Sequence, residues 1–238
     1  MPDPKDILGS IAGGRVLDVA TGSGGFIHFL FAGLRDYTEI IGVDASPRAA
    51  DAFAAAFKDH PAIHFVQMDA HNLDFAPASF DTVCISNSLH HFENPVCILQ
   101  QMSRVLRPGG RFILAEMYRD GQTEPQLTHV HLHHWWAAVD QAVGDHTHFQ
   151  TYSRQELIDL LATQELQDVA LSDFLDTTED PKSPEIAAEL EAVIDRYIQR
   201  ASGHPDLQSL GEALRQRVHQ IGFHSATTLV AVGLKPVM

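Results

Sequence analysis

The chain has 238 residues, of which 45% are hydrophobic and 20% charged, and its formal net charge is −15. These proportions are typical of a globular protein that buries a sizeable core. No stretch approaches the ~20 apolar residues that a membrane span needs, and the N-terminal residues lack the pattern of a signal peptide. The two cysteines offer no framework for disulfides or zinc. We therefore expect a cytoplasmic protein without a membrane span.

The acidic balance also argues against a nucleic-acid partner. A protein that binds phosphates usually presents a basic stripe, because neutralised phosphates release counterions and so increase affinity. Lysine and arginine together number only 16, against 31 acidic residues, and they form no cluster. A small-molecule substrate is the expectation, and a homodimer is compatible with the sequence.

Over the first two-thirds of the chain, short apolar runs alternate with amphipathic helical patterns, which predicts βαβ units and a parallel sheet. The predicted strands are Arg15–Ala20, Glu39–Val43, Ile63–Gln67, Phe80–Ser86 and Arg111–Met117. The predicted helices between them are Gly25–Leu34, Pro47–Lys58 and Pro95–Leu106. The third helix has a start signal at Asn94-Pro95 and a stop signal at Arg107-Pro108-Gly109-Gly110, after its end.

After Met117 this alternation of predicted strands and helices ends. Residues 118–151 are rich in histidine and carry both tryptophans, and a capping box at 153–156 predicts a helix to about Thr163. A strand at Gln167–Phe174, a helical stretch at Ser183–Ile221 broken near Gly203, and a strand at Phe223–Leu234 are predicted to follow. The predicted regions are a core at 1–117, a lid or substrate insertion at 118–152, and a C-terminal part of the sheet at 153–238 with a helical insertion at about 183–221.

The first strand runs into a glycine-rich turn, Asp18-Val19-Ala20-Thr21-Gly22-Ser23-Gly24-Gly25, and then into a helix. Such a turn lets a ligand approach the backbone, and a helix start offers unpaired N–H groups. The dinucleotide fingerprint Gly-x-Gly-x-x-Gly would need a third glycine where this chain has Ile27. A nicotinamide-dependent oxidoreductase is therefore the less favoured interpretation.

Asp44 ends the second strand, about twenty residues beyond this turn. That spacing suits a carboxylate that accepts hydrogen bonds from ribose hydroxyls. The alternative is a structural role, in which Asp44 or Ser46 caps the next helix.

Three further motifs follow in order: Met68-Asp69-Ala70, the run from Phe80 to His91, and Val105–Phe112. Over about Gly14–Met117, the five motifs together closely resemble the class I S-adenosylmethionine-dependent methyltransferases, in the branch of small-molecule and quinone C-methyltransferases. The resemblance implies an α/β, doubly wound, mostly parallel seven-stranded sheet (a Rossmann-like methyltransferase fold) with helical lid insertions. Ala20 departs from the general pattern, because many members carry a glycine there.

The resemblance implies S-adenosyl-L-methionine as cofactor and methyl transfer to O, N or C of a small molecule. By resemblance, the turn at residues 18–24 holds the methionine end, Asp44 binds the ribose, and Asp69 pairs with the adenine. The cofactor-binding residues that the resemblance implies are Asp18, Ala20, Gly22, Gly24, Asp44, Ala45, Asp69, Ala70, Ser86 and Asn87. The alternative is a non-catalytic protein that binds the cofactor as a sensor or assembly factor.

Fifteen histidines is a high number, and several fall in the run Thr128–Trp136. As a strand, this run would place His129, His131 and His133 on one face; as a helix, His129 would meet His133, and His131 would meet His134. Our candidates for catalysis are His90, His131 and His134. No metal is the main expectation, with His129, His131 and His133 as the alternative metal-binding set. Asp140 and Asp145 are candidates for orienting these imidazoles, and the two tryptophans for walls of a pocket or core anchors.

Overall fold

The computed structural model describes residues 8–144, 147–175 and 180–237. Asp145 and the first seven residues of the predicted core therefore lie outside the described part. The strands are β1 (Arg15–Val19), β2 (Glu39–Asp44), β3 (Ile63–Gln67), β4 (Phe80–Ser86), β5 (Leu106–Met117), β6 (Gln167–Phe174) and β7 (Thr228–Leu234). The helices are α1 (Gly25–Gly33), α2 (Pro47–Ala56), α3 (Pro95–Val105), α4 (Glu124–Val143), α5 (Arg154–Ala162), α6 (Pro184–Arg200) and α7 (Pro205–Ile221).

The seven strands form one sheet in the order β3-β2-β1-β4-β5-β7-β6. The first five strands are parallel, and β7 runs antiparallel to both of its neighbours, β5 and β6. The strand order reverses beside β1, which pairs with β2 on one side and β4 on the other. Open α/β sheets bind ligands at such a switch point, beyond the carboxyl ends of the strands. The predicted doubly wound, mostly parallel fold is confirmed.

Helices cover both faces of the sheet because successive strand residues point to opposite sides. Val16 packs on the face that carries α1 and α2, where Phe53 is one of the largest buried side chains. Leu17 packs on the other face, among residues of α3 and α5 such as Leu99 and Leu157. The central strands are thus buried on both sides, as expected of a parallel sheet.

The helix caps predicted from the sequence are present. Asn94 caps α3, its side-chain oxygen accepting from Cys97 N at 3.1 Å. Ser153 and Glu156 form the capping box of α5, with their reciprocal hydrogen bonds at 2.6 and 3.2 Å. These bonds satisfy N–H groups that a helix start leaves without intrahelical partners.

Helices α4, α6 and α7 pack together into a separate apolar cluster, which we call the helical cover. Trp135 anchors it: this side chain is 1% exposed, and its Nε1 donates to Leu207 O at 2.8 Å. The predicted helical insertion therefore packs against the histidine-rich segment. Among the described residues, no helix is long and apolar enough to cross a membrane.

The segment Arg107-Pro108-Gly109-Gly110 belongs to a strand rather than to a free turn. We predicted that the fifth strand begins at Arg111, but β5 begins at Leu106, directly after α3. Leu106 pairs with Phe80 across an irregular register, and Gly109 N donates to Lys235 O at 2.8 Å. This pairing with a distant segment extends the strand, which local turn chemistry could not indicate.

The last strand is shorter than predicted, beginning at Thr228 instead of Phe223. The backbone N–H groups before it bond to the helical cover or to the chain leading into it, not to the sheet. Ala226 N, for example, donates to His129 Nδ1 at 2.9 Å. This segment therefore joins the cover to the sheet.

Substitutions at Gly22 and Gly24 are expected to differ in their effect on folding. Both residues have positive φ, +54° and +88°. A residue with a β-carbon in this conformation destabilises the folded state by about 1–2 kcal/mol. A β-carbon at Gly24 would also overlap a ring carbon of Phe57, whereas one at Gly22 meets nothing within 4 Å. Overpacking adds ~1–3 kcal/mol, so Gly24→Ala should lower the free energy of unfolding clearly more than Gly22→Ala in urea denaturation. Equal losses in the two variants would contradict this packing.

Candidate functional site

A cleft of about 940 Å³ lies at the carboxyl ends of β1 to β4. Six of the ten predicted cofactor-binding residues line it: Ala20, Gly22, Asp44, Ala45, Asp69 and Ala70. Ser88, His91 and Phe92 line the same cleft and were not among the predicted cofactor-binding residues. The other four, Asp18, Gly24, Ser86 and Asn87, are not among the lining residues of the cleft. The volume falls within the range of small-molecule sites.

The Asp44 carboxylate connects two segments that line this cleft. Its Oδ2 accepts from Gly22 N at 2.9 Å, and its Oδ1 accepts from Ser46 N at 2.8 Å. The carboxylate thus links the turn after β1 to the start of α2, so a structural role is present. A carboxylate has about four acceptor positions, and the two remaining ones match two hydroxyl donors.

Asp69 stands at the other side of the cleft, after β3. Its Oδ1 accepts from His71 N at 2.9 Å and lies 2.8 Å from His71 Nδ1. The backbone hydrogen bond, and then the side-chain bond, hold the pKa of Asp69 below its usual range. The carboxylate is therefore an ionised acceptor beside Ala70, which is 6% exposed.

Asp18 lies beneath the glycine-rich turn and is 1% exposed. Thr21 Oγ1 donates to its Oδ2 at 2.6 Å, which ties the turn to β1. Burial raises the pKa of Asp18 to about 7, and the charge of Asp44 adds to this effect, while the Thr21 and Cys84 hydrogen bonds oppose it. Asp18 supports the turn from below.

At the end of β4 the chain makes a sharp exit. Asn87 has a φ of +43°, and its Oδ1 accepts from Met117 N at 2.9 Å, joining β4 to β5. The Ser88 hydroxyl lies 2.7 Å from Ser86 O and 3.3 Å from Ala20 O. Ser88 is therefore the side chain that this exit presents to the cleft, while Ser86 and Asn87 connect strands.

Glu116 is a functional candidate that sequence reasoning missed. It is 0% exposed, and its Oε2 accepts from Ser88 N at 3.0 Å and from Leu89 N at 3.1 Å. Its Oε1 lies 2.6 Å from His90 Nδ1. The available signal was an acidic residue within the apolar run 112–117, since buried charges are rare unless they are paired.

The histidine-rich run is helical, being part of α4, so the strand alternative is wrong. His131 and His134 line a separate cavity of about 390 Å³, together with Trp135 and Leu214. His134 Nε2 lies 2.9 Å from Thr151 Oγ1, and burial lowers the pKa of His134 to about 4. The structure does not bring these two catalytic candidates to the cleft.

His129 lines a third cavity, of about 260 Å³, with Asn87, Met117 and Phe174 among its other lining residues. Burial lowers the pKa of His129 to about 4, so the ring is neutral near pH 7. Because Nδ1 accepts from Ala226 N, the proton of the neutral ring resides on Nε2. His129 is therefore a hydrogen-bond donor in this cavity and not a base.

The structure places one ring nitrogen each of His90, His133 and His148 within 4.8 Å of one another. The ring centroid of His133 lies 4.5 Å from that of His90 and 4.7 Å from that of His148. Burial, and then the neighbouring imidazoles, lower the pKa of His133. His129 and His131 do not join this group, contrary to the alternative metal-binding set, because a helix turns His131 away from His133. His148 was missed, since it lies fifteen residues from His133 in a segment without periodicity.

Comparisons with known proteins agree with this geometry. Residues 17–114 match a family model described as a methyltransferase domain. Demethylmenaquinone methyltransferase from Beutenbergia cavernae is 39% identical over 111 residues, which is 47% of this chain and 44% of that relative. A probable phthiotriol/phenolphthiotriol dimycocerosates methyltransferase 2 from Mycobacterium ulcerans is 36% identical over 109 residues, 45% of this chain and 41% of that relative. The chain thus spans less than half the length of these curated relatives.

Likeness to solved structures extends over nearly the whole chain. The YcgJ protein from Bacillus subtilis superposes with a TM-score of 0.61 at 20% sequence identity, covering 98% of this chain and 97% of that one. At this identity the match shows a shared fold. The fold therefore extends beyond residues 17–114 into the regions that the sequence relatives do not match.

Asp18 should make stability depend on pH. Its pKa rises from 3.8 to about 7 on folding, so between these values the folded state binds more protons than the unfolded state. Stability should therefore fall as pH rises through this window, by about 4 kcal/mol for this one group, and level off above it. Urea denaturation between pH 4.5 and 8 should show this loss in the wild type and a much weaker one in Asp18→Asn.

The control is Asp51→Asn, which neutralises an exposed carboxylate on α2. It should keep the wild-type pH profile. Parallel profiles for the wild type and Asp18→Asn would show that Asp18 titrates alike in the folded and unfolded chains.

Proposed function

We propose that this protein transfers a methyl group from S-adenosyl-L-methionine to O, N or C of a small molecule, because residues 17–114 match a family model described as a methyltransferase domain. The observation that carries the proposal is the cleft, where six of the residues implied by the sequence motifs meet at the switch point of the sheet.

The polar groups of the cleft suit this cofactor. Asp44 has two acceptor positions left for the two ribose hydroxyls, and ionised Asp69 can accept from the adenine amino group. The positive φ of Ala20 and Gly22 lets the backbone turn beneath the methionine end. The cofactor supplies the reactive methyl group, and the protein supplies binding, orientation and exclusion of water.

The small cavity beside Asn87 is the proposed place of the methyl acceptor. It adjoins the exit of β4, whose next residue, Ser88, lines the cofactor cleft, so the two spaces flank one turn. His129 presents a donor there, and Met117 and Phe174 present apolar walls. These groups would orient the acceptor toward the methyl group, and orientation alone contributes ~7–11 kcal/mol in favourable cases.

The described residues of the segment 118–152, together with helices α6 and α7, form the proposed lid. The helical cover reaches the sheet through Ala226 and His129, beside the acceptor cavity. Phe149 N donates to His90 O at 2.8 Å, which attaches the end of the segment to the exit of β4. A cover attached at these two places would exclude water from the space between them.

Calorimetry and turnover test the function. The protein should bind S-adenosyl-L-methionine and its demethylated product, but not NAD, and should release the demethylated product when offered small phenols, quinols or amines. Binding of NAD without binding of S-adenosyl-L-methionine would overturn the proposal. Tight binding with no turnover on any acceptor class would favour the sensor or assembly function.

Asp44→Ala should weaken cofactor binding by about 1.5–3 kcal/mol for each charge-assisted hydrogen bond lost. Asp51→Ala removes an equal but exposed charge from the adjoining helix and should leave the affinity unchanged. Calorimetry on both variants, with melting curves to establish folding, makes the comparison. Unchanged affinity in a folded Asp44→Ala variant would reduce Asp44 to a link between the turn and α2.

The variants His129→Ala and His131→Ala distinguish the proposed acceptor cavity, which His129 lines, from the cavity that His131 lines. His129→Ala should lower turnover at unchanged cofactor affinity, because it removes the donor from the acceptor cavity. His131→Ala should retain turnover, because His131 lines the space near Leu214 instead. The opposite order of activities would move the acceptor to the cavity of His131.

A further inference from the structure

Three separate segments each bring one buried imidazole to a common point. His90 follows β4, His133 lies on α4, and His148 lies in the segment after α4. They are 1%, 8% and 5% exposed, and one ring nitrogen from each lies within 4.8 Å of the others. Three imidazoles rarely cluster away from water without a partner that uses their nitrogens, because each buried nitrogen needs one.

Buried carboxylates orient two of the rings. His90 Nδ1 lies 2.6 Å from Glu116 Oε1, and His148 Nδ1 lies 2.7 Å from Asp140 Oδ2. A carboxylate only accepts hydrogen bonds, so both Nδ1 atoms carry protons, and the neutral form of each ring has its lone pair on Nε2. A histidine that ligates a metal usually has this second partner, which fixes its tautomer and its orientation.

The carboxylates are themselves fixed. Two backbone N–H groups of the turn after β4 bond to Glu116 Oε2. Asp140 is 0% exposed, and its Oδ1 lies 2.7 Å from a guanidinium nitrogen of Arg200. The two imidazoles are therefore held in place before any ligand arrives.

Two buried ring nitrogens of this cluster lack a hydrogen-bond partner. With all three rings neutral, two of the three N–H groups bond to the carboxylates, and only the proton of His133 remains for another imidazole. Among the described residues, His90 Nε2 and His133 Nδ1 have no hydrogen-bond partner. Leaving a buried polar atom unpaired costs about 1–3 kcal/mol, and a cation bound by the Nε2 atoms would give His90 Nε2 the partner it lacks.

One distance matches a coordination sphere directly. His133 Nε2 and His148 Nε2 are 3.4 Å apart, longer than an ordinary hydrogen bond. Two nitrogens bound to tetrahedral zinc at 2.0–2.1 Å stand about 3.3–3.4 Å from one another. The pair is therefore spaced as two ligands of one ion.

We propose that His90, His133 and His148 bind one divalent transition-metal ion, of the class of zinc, and that this ion clamps the segment after β5 onto the sheet. Imidazole nitrogens select zinc, cobalt, nickel or copper over magnesium and calcium, which prefer oxygen. The site joins the exit of β4, α4 and the segment behind α4, so the ion cross-links three parts of the chain. This proposal does not depend on methyl transfer.

The test uses the full chain without a histidine tag, stripped with a chelator and then dialysed against limiting Zn²⁺. Mass spectrometry of the metal should find one equivalent per chain, and the melting temperature should rise by several degrees over the stripped protein, since the ion binds the folded state. Co²⁺ in place of Zn²⁺ should give the visible absorption of a tetrahedral site.

Variants locate the ion. His133→Gln and His148→Gln should lose the bound metal and the rise in melting temperature, and Asp140→Asn should lower the affinity about 10–100-fold. His131→Gln, on the same helix but outside the cluster, should keep both. Because the wild type is compared with and without Zn²⁺, a variant that fails to fold leaves the test intact. Wild-type protein that neither retains an equivalent of metal nor melts higher with it would overturn the proposal, as would metal binding that survives in a variant carrying both His133→Gln and His148→Gln.

Discussion

The buried carboxylate of Glu116 sets the path of the chain where β4 leaves the sheet. A buried charge is energetically costly unless hydrogen-bond donors surround it. Here the donors are two backbone N–H groups and an imidazole. The turn after β4 must therefore wrap around the end of β5. Because Ser88 belongs to this turn and lines the cleft, the shape of the cleft depends on a residue of the neighbouring strand.

The same interaction connects the sheet with the segment that covers it. His90 is held by Glu116 on one side and approaches His133 on the other. The cover thus contacts the turn after β4, whose Ser88 lines the cleft. Its apolar cluster around Trp135 includes none of the residues that line the cleft.

The fold could be predicted because its signals are local. Alternation of apolar runs, the caps at Asn94 and Ser153, and the turn after β1 each require only a few neighbouring residues, and all three appear in the structure. Asp44 was predictable for the same reason, since its place at the end of a strand fixes where its carboxylate lies.

The rest of the site could not be predicted because it depends on long-range contacts. His148 meets His133 across a loop, and Glu116 meets His90 across two strands, so neither pairing leaves a periodic signal. The extension of β5 to Leu106 and the late start of β7 have the same origin, because distant backbone partners decide them. A helix also separates residues that a strand would align, which is why the histidines of α4 divide between different cavities.

The position of β7 has a consequence for how the protein is made. The strand that completes the sheet pairs Leu234 with Arg111 on one neighbour and with Gln167 on the other, so it enters between elements synthesised long before it. Until the ribosome has released that segment, the nascent domain presents β5 as an open edge, with a row of backbone groups ready to pair with another chain. The cleft at the carboxyl ends of β1 to β4 can form early in translation, but β7 covers the open edge only later. Newly made chains should therefore need chaperones most in the interval between these two events.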